Sequence, residues 1–151
     1  MSFWFRTASM LYPYKRLPRS SNTSDPQIPM PFLPVTFYRG DESTLPIFAL
    51  LDSGADRTIM PSDFAEQLGI VDFKKGRLEA TVGVGQQMVD VFYHSDIQVQ
   101  LSGDSRKLQI EIGFIETTEE RRAIPLLGRT FFHHFKSVSF YQVKEKMELI
   151  V

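Results

Sequence analysis

The chain has 151 residues, 42% of them hydrophobic, with seventeen bases, eighteen acids and no cysteine, which is enough for one cored domain and hardly for two. The absence of cysteine excludes disulfides, thiolate catalysis and cysteine-based zinc sites, and points to a cytoplasmic setting. A net charge of −1 provides no overall field for nucleic acid or an anionic membrane.

That charge is unevenly spread. Residues 1–24 carry Arg6, Lys15, Arg16 and Arg19 and no acid, so the remainder holds thirteen bases against eighteen acids, a net of −5. Pro13, Pro18, Pro26, Pro29 and Pro31, with Ser20-Ser21-Asn22-Thr23-Ser24, rule out a continuous helix or central strand. Residues 1–31 therefore read as a basic, Pro/Ser-rich arm or linker, solvated or interface-forming, ahead of a domain over 32–151. Phe3-Trp4-Phe5 is not followed by an apolar h-region, so no secretory signal is expected, and the prolines interrupt the amphipathic helix that a transit peptide needs. No stretch has the length and apolarity of a membrane-spanning helix.

From Leu33 onward short apolar runs alternate with turn signals, the pattern of a small β-barrel or sandwich. Val35 to Arg39 and Thr44 to Leu51 flank the hairpin signal Gly40-Asp41-Glu42-Ser43, and Thr58-Ile59-Met60 reads as the next strand. Pro61 to Leu68 reads as a helix, with Pro61 at its start, Asp63 and Glu66 early and Gly69 as its C-terminal stop. Arg77 to Val84 and Met88 to Leu101 bracket Gly83-Val84-Gly85-Gln86-Gln87, and Ser102-Gly103-Asp104-Ser105 turns the chain into Leu108 to Ile115. Two consecutive hairpins result. Glu116 to Arg122 reads as a charged loop, Ala123 to Leu127 as a second short apolar run, and Ser137 to Val151 as an extended tail turning at Lys144-Glu145-Lys146.

Leu45 to Leu51 has the near-continuous apolarity of a buried strand and ends in Asp52-Ser53-Gly54-Ala55-Asp56. A carboxylate that activates water needs such a rigid support. Ser53 can donate a hydrogen bond that fixes the loop, and Gly54 lets another backbone approach. The triplet by itself is also an ordinary turn sequence. Ile124-Pro125-Leu126-Leu127-Gly128-Arg129, followed by the helix-like Thr130 to Phe135, repeats the motif of an apolar run closing on a glycine.

Taken in order, the Asp52 loop, the glycine-bearing hairpin tip and the Gly128-Arg129 element resemble the retropepsins, the single-domain aspartic peptidases that include retroviral proteases, over about residues 33 to 142. The resemblance implies a mostly β, closed or partly closed barrel with one or two short helices, acting as a homodimer. It implies an aspartic endopeptidase with Asp52, Ser53 and Gly54 as the catalytic triplet and Ser53 bonded across the dimer. Arg129 would pair bidentately with Asp56. Gly83, Val84 and Gly85 would form the tip of a flap, fewer in glycine than the retroviral one, closing on an extended peptide. Substrate pockets would use Ala55, Asp56, Ile59, Val84, Ile124 and Leu126 and favour large apolar side chains, with Arg57 favouring an acidic one further out. Only one Asp-Ser-Gly triplet is present, so the second carboxylate must come from another copy of the chain. The residues equivalent to the retroviral interface strands are not matched by the long arm and tail, so a differently built interface is expected.

Other chemistries fit less well. Met88 occupies the third glycine position of a nucleotide fingerprint, and His133-His134 lacks metalloprotease spacing, so neither a cofactor nor a metal is implied. The thirteen phenylalanines scatter through apolar segments and form no basic stacking platform. A second reading is a catalytically silent retropepsin-fold dimerisation or peptide-binding module. A third is activation by self-processing, for which Leu11-Tyr12-Pro13 in the arm is the expected cleavage point.

Overall fold

A computed structural model of the chain describes residues 8–17, 28–83, 85–118 and 124–151. Its strands are β1 (Ser9–Pro13), β2 (Phe32–Arg39), β3 (Glu42–Ser43), β4 (Ile47–Leu51), β5 (Thr58–Pro61), β6 (Arg77–Val82), β7 (Met88–Leu101), β8 (Leu108–Ile115), β9 (Leu126–Leu127), β10 (Ser137–Tyr141) and β11 (Lys146–Ile150). Two short helices, α1 (Asp63–Gln67) and α2 (Arg129–Phe132), follow β5 and β9. The class is mostly β, as the alternation of apolar residues requires: Leu33, Val35 and Phe37 turn inward along β2, and Ile110, Ile112 and Phe114 do so along β8.

Eight strands form one sheet in the order β3-β2-β4-β9-β5-β8-β7-β6, and an additional β2–β7 pairing closes a six-stranded barrel of β2, β4, β9, β5, β8 and β7. Closure depends on β7. Its first half pairs with β6 and β8, a register shift between His94 and Ile97 bends it, and its second half reaches β2 through Val35↔Leu101 to Tyr38↔Gln98. An extra residue that kinks one strand is the ordinary way to turn a sheet back on itself. Inside lie Phe37, Met60, Leu68, Ile97, Ile112, Phe114 and Phe131, none leaving measurable surface to solvent.

Three local readings change. Pro61 ends β5, paired with Ile115 of β8, and α1 begins only at Asp63; at the last residue of a strand the missing N–H costs little. Gly69 does stop the helix, at φ +69°. The strand expected from Thr44 to Leu51 begins at Ile47, after Pro46, which has no N–H to give a ladder; the buried Thr44 hydroxyl accepts from Phe37 N at 3.1 Å.

The described part of the N-terminal arm is built into the fold. β1 pairs antiparallel with β11, which pairs on its other side with β10, giving a three-stranded sheet ordered β1-β11-β10. Tyr14 follows β1 into the core and the Tyr12 hydroxyl donates to Ser102 O at 2.7 Å. Leu11, Tyr12 and Pro13 thus lie in a paired strand, and cleavage there requires β1 to peel from β11. The tail is a hairpin, turning at Glu145 with φ +49°.

Candidate active site

Asp52 stands at the end of β4, where the strand leaves the barrel. β4 runs parallel to β9 with Leu50 opposite Leu126 and Leu51 opposite Leu127. Leu50 N donates to Pro125 O at 2.9 Å and Asp52 N to Leu127 O at 3.0 Å, so the backbone of Asp52 is fixed by the second apolar run. The side chain is half-buried, and its Oδ1 accepts from Gly54 N at 2.9 Å. A Cβ on Gly54 would sit 3.2 Å from that same oxygen, tighter than ordinary packing.

Behind the loop, Gly128 lies against the backbone of Arg57. An added Cβ would meet Arg57 O at 2.3 Å and its carbonyl carbon at 2.6 Å, so only glycine fits. Gly128 N donates to the buried Thr58 hydroxyl, Arg129 N to Ala55 O at 2.8 Å and Thr130 N to Asp56 O at 3.1 Å. The start of α2 is thereby tied to the Asp52 loop, and Phe131 anchors the helix in the core. The Arg129 guanidinium does pair with Asp56, through Nη2 on Oδ1 alone and not as the expected two-pronged fork. Both side chains are mostly exposed, so this pair contributes at most about 1 kcal/mol, and the backbone bonds hold the tie.

A cavity of about 800 Å³ opens over this layer. Asp52, Gly54, Ala55 and Asp56 line its floor, with Ile59, Ile124 and Leu126 beside them. Gly83, Val82, Val89 and Gln87 of the β6–β7 hairpin line it from the other side. Of the expected site residues, Ser53 and Gly85 do not reach the cavity, and Val84 lies outside the described residues.

One wall is polar. Arg57, Glu79, Thr81 and Tyr93 give the cavity a polar side. Glu79 Oε2 accepts from Arg57 Nη1 at 2.6 Å and from Arg77 Nη1 at 2.7 Å, while Arg77 Nη2 donates to Glu111 at 2.9 Å. The Arg57 and Arg77 guanidinium carbons lie 4.8 and 5.0 Å from the centre of the Tyr93 ring. The Arg77 bond, aided by Arg57, holds the Glu79 carboxyl below the usual carboxylate range, and burial pushes the Tyr93 phenol up. Arg57, next to Asp56, thus lines the cavity while paired with Glu79, and its Nη1 also lies 3.8 Å from Glu111. The available signal was the polar series Arg77, Glu79, Thr81, every second residue of β6 and so on one face.

No family model matches the chain, and no curated protein matches it. Among solved structures it is similar to a retropepsin-like aspartic protease from Rickettsia conorii, at 16% identity and a TM-score of 0.57, over 99% of this chain and 97% of that one. The fold is that of a retropepsin. In that fold the Asp52 loop and the Gly128-Arg129 element take neighbouring places although they lie far apart in sequence. Identity this low carries the architecture and not the chemistry.

Proposed function

We propose that the chain is an aspartic endopeptidase that hydrolyses peptide bonds as a homodimer. The observation that carries the reading is the placing of Asp52, which is pinned through its backbone to Leu127, bonded to Gly54 N, and open to a cavity that the β6–β7 hairpin also lines. A lone carboxylate of this kind is half of a catalytic pair. A second copy of the chain, related by a two-fold axis through the site, supplies the other Asp52.

Two carboxylates held about 3 Å apart share one proton because both cannot readily ionise. The ionised one accepts a proton from a water lying between them, and that water attacks the scissile carbonyl while the protonated one donates to the carbonyl oxygen. Collapse of the tetrahedral species expels the amine, which takes up a proton, and no bond to the enzyme forms. Ser53 is exposed at the turn, and its hydroxyl bonds to the partner loop in this reading, as the resemblance implies. The β6–β7 hairpin acts as the flap, excluding water and bonding an extended peptide as an added strand. Ala55, Ile59, Ile124 and Leu126 favour large apolar side chains at the cleaved bond.

The test is hydrolysis of a mixed peptide library at mildly acidic pH. Asp52→Asn should lower turnover by about 10⁴-fold, the scale seen when a catalytic carboxylate is removed, and undiminished turnover would falsify the assignment. Sedimentation of the active protein should show a dimer.

A further inference from the structure

The hairpin that lines the cavity leaves the barrel at a definite point. β7 begins to pair with β8 at Phe92↔Phe114, so the ladder from Glu79↔Val91 outward joins β6 and β7 only to each other. β6 is also the end strand of its sheet. Among the described residues, the ion pairs that join β6 to an element other than β7 are those of Glu79 with Arg57 and of Arg77 with Glu111. Glu111 is on β8 and so ties β6 to the barrel wall. Arg57 is in the loop that begins at Asp52.

We propose that Glu79 is a positioning residue whose ion pair with Arg57 clamps the base of the flap to the loop that carries Asp52. The placing suits the task. Glu79 is the first residue of β6 beyond the part of the hairpin backed by β8, so a bond there fixes the angle at which the free part departs. The clamp has little slack: Arg57 Nη1 lies 2.6 Å from Glu79 Oε2, and the Arg57 guanidinium rests on the Tyr93 ring, which Arg77 covers too. A cation stacked on an aromatic ring and bonded to a carboxylate loses most of its rotamer freedom. Arg57 follows Asp56, whose carbonyl accepts from Thr130 N, so the clamp joins the flap to the same layer that fixes Asp52. The peptidase reading is needed only for the catalytic readout of the clamp.

Hydrogen exchange of the flap amides in the full chain, without substrate, tests it. Arg57→Gln and Glu79→Gln should each speed exchange at Thr81, Gly83 and Val89 by roughly threefold to tenfold, and the double variant should exchange no faster than either single one. Arg106→Gln, which removes the Arg106–Asp104 pair in the β7–β8 turn, should leave flap exchange unchanged. In peptide hydrolysis the two clamp variants should lose kcat/KM by the same factor, through KM. Unaltered flap exchange in either single variant, additive effects in the double, or an equal response to Arg106→Gln overturns the clamp. Altered exchange in a chain that cleaves no peptide upholds the clamp and removes the peptidase reading.

Discussion

Two glycines near the cavity show how differently its two sides are built. Gly128, behind the Asp52 loop, has backbone where its Cβ would be, with Arg57 O at 2.3 Å, whereas Gly85, at the hairpin tip, has nothing within 4 Å and a φ of +88°. The first is glycine because two segments of the chain touch, the second because the chain turns. One side is a close-packed layer held by backbone bonds and buried apolar residues. The other is a solvated hairpin whose shape depends on backbone conformation and surface charge. The proposed peptidase, which would hold a carboxylate rigidly yet admit a polypeptide, needs both.

The strongest way to break this contrast is Gly128→Ala. A methyl group driven into the Arg57 backbone cannot be relieved by a side-chain rotation, so the loop or the start of α2 must shift, at a cost of about 3 kcal/mol. Denaturant unfolding checks this, and a loss below about 0.5 kcal/mol would mean the layer yields easily. Gly85→Ala should cost about 1 kcal/mol, since an L side chain at that φ is strained even in open space, and Gly85→Asn should recover much of it. The informative quantity is the ratio of the two alanine effects; near-equal losses would erase the distinction between the two sides.

The sequence shows the packed side better than the solvated one, for a physical reason. Leu50-Leu51-Asp52-Ser53-Gly54 and Leu126-Leu127-Gly128-Arg129 are each continuous, and each local pattern maps onto a strand and its turn. β2, β7 and β8 are legible from their alternation in the same way. The cluster of Arg57, Arg77, Glu79, Tyr93 and Glu111 comes from a loop and three strands, and charged residues in alternation look like any solvated face until the register is known. β1 was hidden differently. Its five residues lie in Pro- and Ser-rich surroundings, and its partner Lys146–Ile150 is at the far end of the chain, so composition spoke louder than a short alternation of Met10 and Tyr12. Proline suits a helix start and the end of a strand equally well, so for Pro61 only the pairing with Ile115 decides.

Arg129→Gln sharpens the account of the packed side. The motif gives the guanidinium a central part, yet its partner Asp56 is exposed, and the tie is carried by Arg129 N, Thr130 N and the buried Phe131. Thermal unfolding should show a loss of no more than about 1 kcal/mol. A loss several times larger would return the tie to the ion pair.

Acidity separates the two sides by the smallest effect. Glu79 faces Arg57 from the Asp52 loop, Arg77 from its own strand, Tyr93 from β7 and Glu111 from β8 through the shared arginines, and its carboxyl is held below the usual range chiefly by the Arg77 bond, then by Arg57. A carboxyl depressed in the folded state stabilises above its unfolded value, and that contribution is lost as pH falls through the folded value. The proposed clamp on the β6–β7 hairpin should therefore persist in the mildly acidic range and fail only in stronger acid. The bonds that hold the packed layer, Asp52 N to Leu127 O and Arg129 N to Ala55 O, involve no titrating group. Corrected for its intrinsic pH dependence, exchange at Thr81 and Val89 should accelerate on acidification before exchange at Asp52 and Arg129 does, and Glu79→Gln should remove the difference. Simultaneous acceleration at all four amides would mean that the hairpin and the layer open as one unit, and that charge does not set the flap apart.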